Sequence, residues 1–327
     1  MKKYDVTALG ELLIDFTENG LSEQGNPLLE ANPGGAPCNV LSMLNRLGHS
    51  TGFIGKVGKD HFGDMLEAAA KEVGIDTSGL CRDDKVHTTL AFVHKLADGD
   101  RDFSFYRNPG ADMMLSADEV NTELIRNCRI FHFGTLSMTD TVCREATRYA
   151  IKAAEAAGVL RSFDPNLREP LWKSLDEARE QVSYGMEHCD ILKISDNELW
   201  WFTGEEDFDK GISIISERYH IPLILLSMGK DGSRAYCGGK CAEVKGFVRT
   251  DTIETTGAGD TFCACVLHYV LQKGLKAFTE EEMTEMLRFA NMAASIVTTR
   301  KGALRVMPTL DEVNAGLKEH AADYGEC

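Results

Sequence analysis

The sequence predicts an α/β protein, in which a mainly parallel sheet is flanked by helices in three layers and carries a small β-sheet lid. Short apolar runs alternate with amphipathic segments almost from end to end, which is typical of a parallel sheet covered on both faces. A few β-rich stretches depart from this alternation and predict the lid. The 327 residues suffice for one large core, or for one core with a small appendage.

The strands and helices of the main layer are predicted from apolar periodicity. In the helix predicted over 36–47, Val40, Met43, Leu44 and Leu47 recur at helical spacing, and Gly48 follows as a C-terminal cap. The other predicted helices are 139–157, 261–273 and 281–299. The predicted buried strands are 6–10, 129–134, 159–163, 191–194 and 223–227.

The predicted lid is discontinuous in sequence. Residues 12–16 follow the first strand without room for a crossover helix. Residues 88–96 and 102–106 are β-rich and flank Asp98-Gly99, a strong hairpin signal. We therefore assign 1–10, 34–86 and 112–327 to an α/β core, and 11–33 and 87–111 to the lid. The alternative is that these pieces are edge strands of the main sheet.

Charge and cysteine usage exclude several classes of function. The chain carries 35 Lys and Arg against 51 Asp and Glu, a net charge of −16, which disfavours nucleic acid and anionic membranes as partners. No apolar run reaches about 18 residues, and the N-terminal apolar stretch breaks too early for a signal peptide. The ten cysteines form no paired C-x-x-C elements, which favours reduced thiols in a cytoplasmic protein. A Cys237–Cys241 disulfide is the alternative.

The most informative motif is the Gly-rich run over 254–262, which leads into a predicted helix. The amides of Gly257, Ala258 and Gly259 can converge there, and the positive end of the helix adds to them, so the run is a candidate anion site. Asp260 lies in the first helical turn, where a carboxylate can take a proton from an attacking hydroxyl. The residues alone also fit a tight loop with a capping Asp.

This run resembles the C-terminal signature D-T-x-G-A-G-D of the ribokinase-like (PfkB) carbohydrate kinase family, and the resemblance covers nearly the whole chain. It implies a ribokinase-like fold, ATP with Mg²⁺ as phosphoryl donor, and Asp260 as the base acting on a sugar hydroxyl. Glu254 replaces the first Asp of the signature. In several family members that Asp lies near a monovalent cation, so the resemblance leaves K⁺ binding at Glu254 open.

Two further runs resemble the sugar-binding elements of the family. Gly34-Gly35-Ala36-Pro37-Cys38-Asn39 is similar to its N-terminal signature G-G-A-x-x-N, which implies that Gly34, Gly35 and Asn39 bind substrate. Paired glycines allow close approach of a ligand, and an Asn side chain offers both a donor and an acceptor. Asp15 stands where the first strand of the family has a sugar-binding Asp. Without the resemblance, Asp15 also fits an ordinary turn.

The nucleotide side is implied by three other elements. The run 193–198 resembles the N-x-x-E element, with Ser195 in place of Asn. The resemblance implies that Lys193 and Ser195 bind ATP and that Glu198 holds Mg²⁺ through water. It also implies that Ser227, Gly229 and Gly232 form a nucleotide loop and that Asn291 lines an adenine pocket. Their other interpretations are a solvated helix residue for Glu198, a plain β-turn for 229–232 and a packed helix residue for Asn291.

The runs 105–112 and 163–172 closely resemble the fructokinase branch of the family. The resemblance implies that Arg107 and Arg168 bind substrate, and that the sugar is fructose. The 2-keto-3-deoxygluconate kinases share similar elements, with arginines here binding a carboxylate, for which an arginine fork is well suited. Arg168 could instead pair with Glu169 or Asp176 on the surface. A nucleoside kinase and a non-catalytic sensor remain alternatives, and a homodimer through the lid is expected.

Overall fold

A nine-stranded sheet forms the centre of the computed structural model, which describes residues 2–95 and 101–320. The strands are β1 (Tyr4–Leu9), β2 (Leu13–Leu21), β3 (Pro27–Gly34), β4 (Thr51–Gly58), β5 (Asp76–Asp83), β6 (Leu90–Lys95), β7 (Arg101–Tyr106), β8 (Cys128–Gly134), β9 (Leu160–Asp164), β10 (Ile191–Ser195), β11 (Leu223–Ser227), β12 (Ser233–Cys237) and β13 (Lys240–Val244). The main sheet has the order β13-β12-β11-β10-β9-β8-β1-β4-β5. It is parallel except at β12, which pairs antiparallel with both neighbours. The mainly parallel sheet is therefore confirmed.

Helices cover both faces of this sheet. They are α1 (Ala36–Arg46), α2 (His61–Glu72), α3 (Thr122–Arg126), α4 (Thr141–Ala156), α5 (Leu175–Glu187), α6 (Asp196–Thr203), α7 (Phe208–Tyr219), α8 (Ala258–Lys273), α9 (Glu280–Val297) and α10 (Leu310–Glu319). Strand β11 illustrates the layering: Leu223 and Leu225 pack in one hydrophobic cluster, with α1, α8 and α9. Ile224 and Leu226 pack in the other, with α4, α5 and α7. Successive strand side chains point to opposite faces, so both faces are apolar.

The predicted lid is a separate sheet. Strands β2, β3, β6 and β7 pair in the order β3-β2-β6-β7, and their pairings are with one another. The edge-strand alternative is therefore wrong for the part of the chain that the structure describes. The Asp98-Gly99 turn lies outside the described residues, although Lys95 pairs antiparallel with Arg101 beside it. The boundaries at 11–33 and 87–111 remain a proposed division.

The predicted elements of the main layer are confirmed, with shifts at their ends. Helix α8 begins at Ala258, three positions before the predicted start at 261, because Gly257 supplies the positive φ of 78° that caps it. Strands β3, β4, β5, β12 and β13 were not predicted. Strand β4 is buried at every position, so it lacks the alternation of a half-buried strand.

The thiol and membrane predictions can be compared with the described residues. Within 2–95 and 101–320 all nine cysteines are free, including Cys237 and Cys241, so no hairpin disulfide is formed. Across the hairpin, Cys237 instead faces Lys240. In the same two ranges, no helix is both long enough and apolar enough to cross a bilayer.

Candidate active site

A cavity of about 540 Å³ opens where the carboxyl ends of the parallel strands meet the lid and the first turns of α1 and α8. This is the edge at which open parallel sheets bind ligands. Nine residues from the predicted site line it: Asp15, Gly35, Asn39, Arg168, Lys193, Glu254, Gly257, Gly259 and Asp260. The structure therefore brings together residues that are more than 200 positions apart in sequence.

The Gly-rich turn before α8 is built for close approach. A methyl group on Gly257 would lie 2.9 Å from Cβ of Ala303, and one on Gly259 would lie 3.3 Å from Nζ of Lys193. The amide of Ala258 donates to the carbonyl of Thr255 at 3.2 Å. Of the three predicted anion-binding amides, that of Ala258 is thus already engaged, which leaves those of Gly257 and Gly259.

Asp260 lies in the first turn of α8, as predicted, and Asn39 holds its carboxylate. Nδ2 of Asn39 donates to Oδ2 of Asp260 at 2.8 Å. Burial raises the pKa of Asp260, against the opposing effects of the Asn39 hydrogen bond, Lys193 and Arg168. A raised pKa makes the carboxylate a stronger base. Oδ1 of Asn39 is buried without a partner among the described residues, so it is a free acceptor for a ligand hydroxyl.

Asp15 reaches the cavity from the first lid strand. Burial raises its pKa to about 7, with Glu254 and Asp260 adding to the shift and Arg168 opposing it. A methyl group on Gly34 would lie 2.3 Å from Oδ2 of Asp15, so the absence of a side chain at Gly34 makes room for the carboxylate. Gly34 thus shapes the site from behind Asp15.

Glu11 is a site residue that the sequence argument missed. Its side chain is buried and lines the cavity, and Oε1 accepts a hydrogen bond from the amide of Ala36, the first residue of α1, at 2.9 Å. Burial raises the pKa of Glu11 to about 7. Its position directly after a buried strand was the available signal, because such positions lie at the binding edge of a parallel sheet.

We expect Glu11→Gln to gain stability relative to the wild type as the pH rises from 5 to 8. The folded chain holds the Glu11 proton up to about pH 7, whereas the unfolded chain releases it near 4.5. The contribution of Glu11 to the free energy of unfolding is therefore greatest at low pH and is lost as the pH rises through 7. Between pH 5 and pH 8, the free energy of unfolding of the wild type should fall relative to that of Glu11→Gln by on the order of 1–3 kcal/mol.

Urea unfolding at pH 5 and pH 8 measures this difference, with the exposed Glu145→Gln as a matched control. If the free energies of unfolding of the wild type and of Glu11→Gln differed by the same amount at both pH values, Glu11 would not be a buried group with a raised pKa.

Lys193, in the middle of β10, forms a buried ion pair with Asp164, the last residue of β9. Nζ of Lys193 lies 3.1 Å from Oδ2 and 3.2 Å from Oδ1 of Asp164. Burial raises the pKa of Asp164 to about 7 even though Lys193 opposes the shift. Asp164 was not predicted as a site residue, although it directly follows the predicted strand 159–163 in the run Asp164-Pro165-Asn166.

Glu198 and Ser195 form a reciprocal cap at the start of α6. Oε2 of Glu198 accepts from both the amide and the hydroxyl of Ser195 at 2.8 Å, and Oε1 accepts from the amide of Leu167 at 2.8 Å. Burial alone would raise the pKa of Glu198, but Lys193 and these hydrogen bonds lower it below its usual value. The carboxylate is therefore held ionised, beside a second cavity of about 350 Å³ that Lys193 also lines.

The structure does not bring Arg107 to the main cavity. Its guanidinium is buried and lies 2.7 Å from Oδ2 of Asp112, and it donates to the hydroxyl of Thr139 and the carbonyl of Leu136. Arg107 thus forms an internal ion pair at the root of the lid, and its substrate contact stays a prediction. Asp112, five positions later in the chain, is the partner that sequence reasoning overlooked.

Asn291 is also engaged internally. Its Oδ1 accepts from the hydroxyl of Ser233 at 2.8 Å, and its Nδ2 donates to the carbonyls of Val244 and Lys245. These contacts join α9 to β12 and to the end of β13. The side-chain amide of Asn291 is therefore used within the fold, and its contact with adenine stays a prediction.

The remaining predicted residues lie on the nucleotide side. Ser227 pairs directly with Ser195 across β11 and β10, so these two strand ends are adjacent. Gly229 and Gly232, with φ of 54° and 110°, form the turn from β11 to β12. Glu254 lines the main cavity, where its Oε1 accepts from the amide of Gly302 at 2.7 Å. Among the described residues, no group of three His, Cys, Asp or Glu side chains is arranged to hold a metal ion.

Comparison with known proteins identifies one family model, one relative and two solved structures. The family model described as pfkB family carbohydrate kinase matches residues 3–310. The probable fructokinase-2 of Arabidopsis thaliana is 42% identical over 316 residues, which are 96% of this chain and 95% of that protein.

Two solved structures are also similar. Fructokinase with bound ATP from Xylella fastidiosa matches with a TM-score of 0.88 and 31% identity, covering 98% of this chain and 100% of that one. A fructokinase double mutant from Vibrio cholerae, solved with fructose, ADP and potassium ion, matches with a TM-score of 0.84 and 25% identity, covering 97% and 99%.

Proposed function

The chain belongs to the pfkB family of carbohydrate kinases, and from this membership we propose that it transfers the γ-phosphoryl group of ATP to fructose. The products would be fructose 6-phosphate and ADP. The observation that carries the proposal is the placement of Asp260. It lies at the cavity, hydrogen-bonded to Asn39, beside the amides of a Gly-rich turn.

The proposed reaction assigns a step to each group. The sugar lies among Asp15, Gly35 and Asn39, where carboxylate and amide groups can hold its hydroxyls. Asp260 takes the proton as the hydroxyl oxygen bonds to the γ-phosphorus, and the bond from that phosphorus to ADP breaks. The free amides of the turn stabilise the charge that develops on the phosphoryl oxygens.

The predicted Mg²⁺ site at Glu198 fits a contact made through water. Both oxygens of Glu198 already accept hydrogen bonds from the protein, so this carboxylate suits a water-mediated contact with Mg²⁺. When bound, Mg²⁺ would neutralise phosphate charge, and it commonly keeps several waters in such sites. For K⁺ we retain Glu254, in keeping with the potassium ion in the Vibrio cholerae relative.

The charge of the cavity favours fructose over 2-keto-3-deoxygluconate. Four carboxylates line it, those of Glu11, Asp15, Glu254 and Asp260. Arg168 lines it without an ion pair to Glu169 or Asp176 in the described ranges, but Arg107 does not. A carboxylate substrate would thus meet one of the two expected arginines and four acidic side chains, of which Glu11 and Asp15 ionise only near pH 7, whereas an uncharged sugar avoids this repulsion.

We expect fructose-dependent ADP release, and a weaker response to 2-keto-3-deoxygluconate, ribose or adenosine, because the cavity offers many acceptors for hydroxyls and has more acidic than basic side chains. A coupled ADP-release assay with each compound and ATP·Mg measures this order. Strong turnover of 2-keto-3-deoxygluconate with none of fructose would overturn the choice of sugar. Absence of ADP release with every compound would favour the sensor alternative.

Assembly and location remain proposals. The outer part of the lid sheet exposes Leu21, Leu28 and Leu29, which supports a homodimer formed through the lid. The unpaired cysteines are in keeping with a cytoplasmic protein.

A further inference from the structure

Helix α1 begins at the main cavity without a capping side chain of its own. Its N-terminal cap is Gly35, and its first turn holds no acidic residue. The free amides at the start of a helix are usually satisfied by the side chain of a Ser, Thr, Asp or Asn cap. Helices α2, α5, α6, α7, α9 and α10 have such caps, which are Asp60, Ser174, Ser195, Asp207, Thr279 and Thr309.

Glu11 supplies the missing acceptor from the segment between β1 and β2. Its Oε1 accepts a hydrogen bond from the amide of Ala36, the first residue of α1, at 2.9 Å. A carboxyl group is favourably placed at the positive end of a helix, and its oxygen can accept from the amide whether or not the group is ionised. Glu11 is only 4% exposed, so water does not readily replace this contact.

The start of α1 packs too closely on this segment to carry an ordinary cap. A methyl group on Gly35 would lie 2.5 Å from the carbonyl oxygen of Glu11, which excludes a capping side chain at that position. A methyl group on Gly10 would lie 2.5 Å from Cγ of Pro37, the second residue of α1. Because Pro37 has no amide hydrogen, the hydrogen bond from Ala36 to Glu11 is the contact that fixes the first turn.

The first turn of α1 in turn holds the proposed base. Asn39, three residues after Ala36, donates from Nδ2 to Oδ2 of Asp260 at 2.8 Å. Burial raises the pKa of Asp260, and the hydrogen bond from Asn39 lowers it. A displacement of α1 would therefore change both the orientation and the pKa of the Asp260 carboxyl group.

We propose that Glu11 is a positioning residue, which caps α1 from the segment after β1 and thereby holds Asn39 where it orients Asp260. The inference rests on the proposed kinase function and deepens it, because Asp260 is the base of that reaction. Glu11 acts through α1, so it takes no part in the proton transfer from the sugar hydroxyl to Asp260.

Glu11→Met should lower kcat about 10- to 10²-fold, because it removes the acceptor while filling a similar volume, and so leaves Asp260 misaligned. Glu11→Gln keeps an oxygen for the amide of Ala36 and should recover most of this loss. In Glu11→Met the acidic limb of the pH profile of kcat should move to higher pH, because Asp260 loses the hydrogen bond that lowers its pKa. A steady-state ADP-release assay at a series of pH values measures both effects.

The direction of this pKa change separates positioning from a direct effect of charge. Removal of a negative charge at Glu11 would by itself lower the pKa of Asp260, since it favours the ionised carboxylate. Loss of the Asn39 hydrogen bond raises that pKa. The other charged groups that act on Asp260 stay in place in every variant, and they are Lys193, Arg168, Asp15 and Asp164.

A double variant tests whether Glu11 acts through Asn39. If it does, Glu11→Met combined with Asn39→Ala should turn over within about threefold of Asn39→Ala alone, whereas independent effects would multiply. Asp207→Ala is the matched control, because Asp207 caps α7, a helix that does not line the main cavity. The control should lose stability and keep the pH profile of the wild type.

Carbon NMR of the Asp260 carboxyl group tests the proposal without turnover. The signal is assigned by its loss in Asp260→Asn, and its titration gives the pKa of Asp260 in the wild type, Glu11→Met and Glu11→Gln. If wild-type chain fails to phosphorylate fructose, the proposed function is wrong, whereas this titration still tests Glu11.

Three results would each overturn the positioning role of Glu11. They are an Asp260 pKa that is unchanged or lowered in Glu11→Met, a Glu11→Gln variant as slow as Glu11→Met, and effects that multiply in the double variant. If Glu11→Met does not fold, Glu11→Ala is measured by the same criteria.

Discussion

Asp260→Asn is expected to lower turnover about 10²- to 10⁴-fold while leaving ADP affinity within a few-fold of the wild type. The side-chain amide that this substitution introduces cannot take the proton of the attacking hydroxyl. Its oxygen can still accept from Nδ2 of Asn39, which donates to Asp260 at 2.8 Å, so the local structure should persist. A coupled ADP-release assay gives kcat, and calorimetry gives the ADP affinity.

Asp311→Asn is the matched control for this experiment. Asp311 also lies in the first turn of a helix, α10, but it is exposed and does not line the main cavity. The control should turn over at the wild-type rate. Near-normal turnover of Asp260→Asn would remove Asp260 from the role of base.

Gly35→Ala is expected to reduce kcat/KM for the sugar by at least about 10²-fold and to lower the melting temperature. Gly35 has φ of 127°, which side-chain-bearing residues rarely adopt, and its added methyl group would lie 2.5 Å from the carbonyl oxygen of Glu11. Backbone strain of this kind costs about 1–3 kcal/mol. Because Gly35 precedes the first turn of α1, the shift should also move Asn39 away from Asp260.

Gly48→Ala separates the effect of an unfavourable φ from the effect of the clash that a methyl group on Gly35 makes with Glu11. Gly48 follows the other end of α1 with φ of 84°, and a methyl group there meets nothing within 4 Å. This variant should lose some stability through φ alone and keep its sugar kinetics. If both variants showed the same modest loss of stability and normal kinetics, the tight approach of Gly35 to Glu11 would be irrelevant to the site. Thermal unfolding and steady-state kinetics with varied sugar measure both effects.

The sequence allowed the parallel sheet to be predicted for a physical reason, whereas the roles of Asn39 and Asp260 at one site were implied by the family resemblance. Buried parallel strands leave apolar runs, and Gly-rich turns at their carboxyl ends mark the edge where ligands bind. The lid was predicted in part from the absence of room for a crossover after β1. Its strand β3 escaped prediction, because Glu30 and Asn32 interrupt its apolar pattern.

The roles of single polar residues were harder to predict, because each depends on partners that folding alone brings near. Arg107 was expected at the sugar, but Asp112 and Thr139 bind its guanidinium. Asn291 was expected at adenine, and its side-chain amide bonds Ser233 and the carbonyls of Val244 and Lys245. Motif spacing carries no information about such competition.

The central claim is that this chain moves a phosphoryl group from ATP to a hydroxyl of fructose, and phosphorus NMR of one reaction mixture tests it most directly. With wild-type chain, ATP, Mg²⁺ and fructose, we predict that the γ-phosphate signal of ATP decays while ADP and a phosphomonoester of the sugar rise in equal amounts. Inorganic phosphate in place of the monoester, or an unchanged ATP spectrum, would contradict the account.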